Sequence, residues 1–269
     1  MKVGIAGMGK MGQAVAQRLL GLGHEVWVYN RNPARADAVV AQGARRVDHP
    51  AELAGGCEVV VSLLTDAAAV EQVYQGPQGL FSNPKAVLIE SSTVAPEFQA
   101  QMAQRAAAAG ARYLECPVSG SIGPAKEGKL IGFVGGDAAV VAQAQPLLDQ
   151  MCRKVVKVGA HGNGARMKLC VNLPLMVYWQ TLGEALTLVR GLDIDPKELI
   201  DALAGNPQST VTVDLLTMRK DVRTMVEQGT QHGATMPLTK ATLANLEKAI
   251  EEGLGQSDCT QFPVWVRQH

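Results

Sequence analysis

An α/β fold is predicted: a doubly wound parallel sheet in the N-terminal part, then a long interdomain helix leading into an all-α C-terminal domain. Three observations predict it. Short apolar runs alternate with alanine-rich helical stretches up to about residue 160. A glycine pattern, Gly7-Met8-Gly9-Lys10-Met11-Gly12, separates the first run from the first helix. Beyond Gly159 the strand-like runs stop. Strand–helix alternation is the signature of a parallel sheet with helices on both faces.

The strands come first. Val3–Ala6, Glu25–Tyr29, Glu58–Leu64, Ala86–Glu90, Arg112–Glu115, Leu130–Val134 and Lys154–Val158 are mostly continuous apolar runs. Such runs suit strands whose two faces are both covered by helices. Lys10–Leu20, Pro33–Ala41 and Pro96–Ala109 are among the intervening helices. One long, largely apolar helix is expected from Gly164 to about Arg190. Further helices follow near Pro196–Leu203, Val213–Glu227 and Pro237–Glu252. Gly159, Gly162 and Gly164 mark the change of pattern, so two domains are expected, 1–160 and 161–269.

Composition narrows the function. The chain has 269 residues and is 47% hydrophobic, enough to bury a sizeable core. Lys plus Arg and Asp plus Glu both number 25, and aromatics are 4%. That balance argues against a general nucleic-acid binder, which needs excess positive charge or stacking platforms. Five cysteines form no CxxC pair, and the five histidines include no i, i+4 pair, so no metal site is expected. Buried free thiols in a reducing compartment fit that pattern. The N-terminal apolar stretch is too short and glycine-rich for a signal peptide. The uncharged run between Lys168 and Glu184 carries Asn172, Pro174, Gln180 and Thr181 and falls short of the roughly 20 apolar residues of a membrane span. A soluble cytoplasmic protein is expected.

Four motifs carry chemistry. The first, Gly7 to Gly12, is a G-x-G-x-x-G that follows a strand and opens a helix. Gly7 permits the tight turn, Gly9 lets a pyrophosphate approach, and Gly12 lets helix and sheet pack closely. The helix N-terminus offers N–H groups to phosphates. This is the Rossmann-type fingerprint in its proper context, whereas the spacing alone would also fit a ligand-free turn. The second motif is Asn30-Arg31-Asn32-Pro33 at the next strand end. NAD enzymes usually place an acid there for the ribose 2′-hydroxyl. Asn30 followed by Arg31 favours a 2′-phosphate instead, so NADP (NADPH) is the expected cofactor, with Arg31 its main ligand and Arg35 in support. A solvated arginine at a helix entry is the plainer reading.

The third motif is Glu115-Cys116-Pro117-Val118-Ser119-Gly120-Ser121, followed by Pro124-Ala125 and Gly128-Lys129-Leu130. Ser119 and Gly120 follow a strand end, where open α/β sheets bind ligands, and the hydroxyls and backbone N–H groups there suit a carboxylate. By residue type alone it reads equally as an ordinary strand-to-helix turn. Cys116 has no histidine nearby and reads as a buried thiol. The fourth is Gly162-Asn163-Gly164-Ala165-Arg166-Met167-Lys168-Leu169-Cys170-Val171-Asn172. Lys168 and Asn172 share one helix face. Such a pair could give a proton to a substrate oxygen, and a lysine snorkelling to the surface would look the same.

Taken together, GMGKMG, PVSGS with PA and GKL, and GNGARMKLCVN resemble the β-hydroxyacid dehydrogenase family over nearly the whole chain. Asn30-Arg31 and Pro117–Ser121 look most like its NADPH-using glyoxylate and succinic semialdehyde reductase branch. The 3-hydroxyisobutyrate dehydrogenase branch, the oxidative alternative, more often has an acid at position 30 and glycine at position 121. The resemblance implies that Lys168 is the catalytic general acid and that Asn172 orients substrate. It implies that Ser119, Gly120 and Ser121 form the substrate-carboxylate loop. Leu63 and Leu64 would lie along the cofactor, Thr93 of Ser92-Thr93-Val94 would flank the nicotinamide, and Lys220-Asp221 would close over the site. A small carboxylate substrate and a homodimer or homotetramer are implied as well. Imine reductases share this architecture but usually replace the lysine, and a non-catalytic dinucleotide-binding module is the alternative of another class. Three departures stand out. The connection from Leu203 to Lys220 is short, Val213 stands where the reductase branch has phenylalanine, and Pro174 falls inside the long helix, where a kink is expected.

Overall fold

The computed structural model describes residues 1–189, 194–205, 214–231, 233–259, 261–266 and 268–269. The chain divides into two compact units, Met1–Asn172 and Leu173–His269. This division falls twelve residues past the boundary expected from the glycines, inside the long helix.

The first unit carries one nine-stranded sheet. Its strands are β1 (Lys2–Ala6), β2 (Glu25–Tyr29), β3 (Arg45–Arg46), β4 (Val59–Ser62), β5 (Val87–Glu90), β6 (Arg112–Glu115), β7 (Val118–Ser119), β8 (Leu130–Gly136) and β9 (Cys152–Gly159). The order is β3-β2-β1-β4-β5-β6-β8-β7, with β9 also on β8. The first six strands are parallel. β8 turns antiparallel to β6 and β7, so the sheet is mixed at that end rather than parallel throughout. The order reverses between β1 and β4, and ligands of such sheets bind outside the strand ends at that point.

Its helices are α1 (Lys10–Gly21), α2 (Asp37–Val40), α3 (Pro50–Gly56), α4 (Ala67–Tyr74), α5 (Pro96–Ala108), α6 (Ile122–Glu127) and α7 (Ala138–Met151). The period-2 alternation of the strands sorts the core into two layers. Val3, Ile5, Val59, Val61, Val87 and Ile89 pack against Val15 and Leu19 of α1 and Leu147 of α7. Val60 and Leu88 face the other way, against Leu53 of α3, Val70 and Tyr74 of α4 and Met102 of α5. Both faces are dry, which is why the strands read as unbroken apolar runs. The stretch expected as one helix over Pro33–Ala41 begins as a 3-10 turn at Pro33–Ala36, capped by the Asn32 side chain, before α2.

The long helix α8 runs Asn163–Leu188 and remains helical through Pro174. The second unit also holds α9 (Pro196–Gly205), α10 (Leu215–Gln231), α11 (Pro237–Ala249) and α12 (Gln261–Val266). A π-helical turn, Ile250–Leu254, ends the helix expected to reach Glu252. The small core of this unit is Leu215, Val222, Leu246, Ala249, Phe262 and Trp265. The carboxylate of Glu184 accepts the N–H groups of Leu238 and Thr239 at 3.0 Å each, capping α11. Among the described residues no helix is long and apolar enough to cross a membrane. The connection holding Val213 lies outside the described residues.

Candidate functional site

The turn after β1 is fixed by the sequence at two glycines. Gly7 has φ +103°, and a Cβ there would stand 2.3 Å from the Leu63 carbonyl oxygen. Gly12 lets α1 sit against the turn, because a Cβ there would stand 1.8 Å from the Gly7 oxygen. Gly9 differs: a Cβ there meets no atom within 4 Å. Gly9 caps α1 with no side-chain bond, which leaves first-turn N–H groups for an anion.

This turn borders a cleft of about 410 Å³ between the ends of β1, β2 and β4. Gly7, Gly9, Asn30, Arg31, Arg35, Leu63 and Leu64 line it. Tyr29, Asn32, Thr65, Ala69, Gln72 and Val73 complete the wall, and no carboxylate is among the lining residues. Asn30 holds the loop together. Its Oδ1 accepts the Met8 N–H at 2.9 Å and its Nδ2 donates to the Asn32 carbonyl at 2.8 Å. The guanidinium of Arg31 is exposed and donates to Gln72 Oε1 at 3.3 Å. Met8 is wholly buried, and Lys10 is exposed at the start of α1; neither lines this cleft.

A second cleft, of about 250 Å³, shares Leu63 and Leu64 with the first. Met11, Ser91, Ser92, Thr93, Val118, Gly120, Lys168 and Asn172 line it. Lys168 is only 8% exposed. Burial holds its ammonium below the usual lysine range. The Ser91 hydroxyl is buried in the wall with no hydrogen-bond partner among the described residues. Gly120 borders the cleft, whereas Ser119 is half-buried in β7 and Ser121 is exposed as the N-cap of α6; neither serine lines it. Lys220 and Asp221 lie on α10 in the second unit. Cys116 is buried, and burial pushes its thiol well up, which leaves no nucleophile there. Cys57 and Cys152 are buried too, but Cys170 is exposed and Cys259 half-buried, against the expectation of buried thiols.

Two buried acids at strand ends organise these walls; the sequence places Glu115 at the head of the third motif without a role and does not single out Glu90. Glu90 ends β5 and is fully buried. It accepts the Ser92 N–H at 2.9 Å and a bond from the Gln99 amide. The Ser92 hydroxyl in turn accepts the Leu64 N–H at 2.8 Å, so Glu90 holds both wall segments. Burial pushes the Glu90 carboxyl up to about 7, with the Ser92 and Gln99 bonds opposing. Glu115 stands beside it in register on β6 and is also fully buried.

The shift at Glu90 has a thermodynamic consequence. Its carboxyl ionises near pH 4.5 when unfolded and near 7 when folded. Below 4.5 both states are protonated and stability is at its highest from this group. Between 4.5 and 7 only the unfolded state ionises, so stability falls with rising pH, by about 3 kcal/mol at most, since each unit is worth about 1.4 kcal/mol. Glu90→Gln should flatten that slope in urea titrations at pH 5 and pH 8. An unchanged slope would show that Glu90 does not titrate in this window.

Comparison with known proteins agrees with this fold. The NAD binding domain of 6-phosphogluconate dehydrogenase, as a family profile, matches residues 2–159. A 3-hydroxyisobutyrate dehydrogenase from Pseudomonas aeruginosa is 37% identical over 203 residues, 75% of this chain and 68% of that one. Glyoxylate/succinic semialdehyde reductase 1 from Arabidopsis thaliana is 30% identical over 276 residues, 96% of each. A reductive aminase from Aspergillus terreus shares the fold, with a TM-score of 0.83 over 97% of both chains at 22% identity. Fold and glycine turn therefore define a dinucleotide-binding oxidoreductase domain. The chain belongs to the β-hydroxyacid dehydrogenase family.

Proposed function

We propose that this protein is an NADPH-dependent reductase of small aldehyde or keto acids, of the glyoxylate or succinic semialdehyde type, with Lys168 as general acid. One observation carries the reading. A buried lysine borders a small polar cleft that shares Leu63 and Leu64 with a cleft holding two arginines and no carboxylate.

The residues present fit a dinucleotide. Gly9 leaves room beside the open N-terminus of α1 for a pyrophosphate, and Arg31 and Arg35 flank the end of β2. The nicotinamide, when bound, supplies hydride to the carbonyl carbon. Lys168 then gives its proton to the oxygen as negative charge develops there. Its ammonium form is the competent one, and burial strengthens its hydrogen bond to that oxygen by excluding water. Asn172, one turn further along α8, holds the same oxygen or the acid group in place. The substrate carboxylate sits against the Gly120 backbone and the Ser91–Thr93 segment, whose Ser91 hydroxyl, without a partner among the described residues, is an available donor.

A second reading, oxidation of a 3-hydroxy acid, is favoured by the 37% identity to the Pseudomonas dehydrogenase. Arg31 separates the two by cofactor. A charge-assisted pair with a 2′-phosphate is worth about 1.5–3 kcal/mol. Arg31→Ala should therefore lower kcat/KM for NADPH roughly 10- to 100-fold and leave that for NADH within about twofold. Equal losses with both nucleotides, or a wild type that prefers NADH, would count against the NADPH assignment.

A further inference from the structure

We infer that Glu115 is the positioning residue that sets where Lys168 stands; as a statement about catalysis, this rests on the reading of Lys168 above. Three backbone donors converge on the Glu115 carboxylate. Gly162 and Gly164 donate to Oε1 at 2.5 and 2.9 Å, and Ala165 donates to Oε2 at 3.0 Å. These N–H groups belong to the first turn of α8 and the residue leading into it, groups that have no intrahelical acceptor. A fully buried strand-end carboxylate thus caps the helix that carries Lys168 one turn further on.

The glycines around it are shaped to admit the acid. A Cβ at Gly164 would stand 2.9 Å from Glu115 Cδ and 2.5 Å from the Phe133 oxygen. A Cβ at Gly135 would stand 2.5 Å from Glu115 Oε1. Gly162 has φ +94°, a backbone conformation that glycine adopts without strain. The GNG turn and β8 therefore make a socket for one carboxylate. A negative charge at a helix N-terminus is favourable, and here it is held by hydrogen bonds to both oxygens.

The covalent path from the socket to the substrate wall is short. Glu115 is followed by Cys116 and Pro117, then Val118 and Gly120, which border the Lys168 cleft. One side chain therefore ties the lysine helix to the loop opposite it, without touching the cleft itself. Other ties to the start of α8 are weaker: Asn163 Nδ2 donates to the Val158 oxygen at 2.9 Å, and Arg166 and Glu97 form an exposed pair at 3.8 Å. Glu115 does not line the Lys168 cleft and bonds only the start of the helix, so it acts on the lysine through position.

Glu115→Gln and Glu115→Asp test this. In the glutamine variant kcat should fall roughly 10- to 100-fold, the cost of a misplacement on the scale of an ångström. The Kd for NADPH should stay within about twofold, because the dinucleotide cleft does not involve Glu115. Amide exchange at Gly164 and Ala165 should accelerate in the same protein. Glu115→Asp keeps the charge on a shorter arm and should recover part of the rate and part of the protection. If the glutamine variant does not fold, the aspartate variant carries the test, with lowered kcat and intact NADPH affinity expected. An unchanged kcat in a folded variant overturns the inference, as does parallel loss of rate, NADPH affinity and thermal midpoint. Lys168→Met, assayed alongside, separates the two claims. If it leaves turnover intact the catalytic reading fails, while exchange at Gly164 and Ala165 still reports whether Glu115 holds the helix.

Discussion

Lys168→Met lowers kcat by roughly 10²- to 10⁴-fold, the range that a positioned general acid contributes. The same substitution leaves the NADPH Kd within about twofold, because Lys168 lines only the second cleft. It also leaves the protein at least as stable. The lysine is 8% exposed, its ammonium has no pairing carboxylate among the described residues, and a methionine of similar length removes that desolvation cost. Lost rate with a kept or raised thermal midpoint is the pattern of a residue retained for chemistry at the expense of stability. A kcat within about threefold of wild type would remove Lys168 from the mechanism.

The glycine turn predicts an equally large effect, this time on cofactor binding. Gly12→Ala places a methyl 1.8 Å from the Gly7 oxygen. The turn cannot yield easily, because Gly7 is itself packed on the Leu63 carbonyl at a positive φ. Overpacking of this kind typically costs about 1–3 kcal/mol, and the distorted turn should lose NADPH affinity by roughly 100-fold or more. Gly9→Ala is the informative partner. Its methyl meets no protein atom within 4 Å and φ is −72°, so stability should not change. Dinucleotide affinity should still drop at least tenfold, because the methyl stands where the pyrophosphate approaches. Titration calorimetry with thermal melts checks both. A Gly9→Ala protein with unaltered affinity would mean that the pyrophosphate does not bind over this turn.

Much of the architecture was legible because burial on both sheet faces writes continuous apolar runs. Val59–Ser62 and Val87–Glu90 are such runs. β3 and β7 were not legible. Each is two residues long, Arg45 and Arg46 are both exposed, and their pairing is set by neighbouring strands rather than by their own composition. The mixed direction at β8 was hidden for the same reason, since strand direction depends on partners. In the site, the i, i+4 spacing of Lys168 and Asn172 did bring both to one cleft. The roles of Glu90 and Glu115 were not visible. An acid at a strand end reads as a solvated terminus, and the donors that bury Glu115 lie 47 to 50 residues further along the chain. Gln72 escaped notice likewise, because only the packing of α4 brings it to Arg31.

The most direct test of the central claim is the initial rate of NADPH consumption by the wild-type protein with glyoxylate and with succinic semialdehyde, with NADH run in parallel. The account predicts turnover of at least one of the two acids, preference for NADPH, and one hydroxy acid formed per nucleotide oxidised. A protein that binds NADPH but reduces neither acid would contradict it.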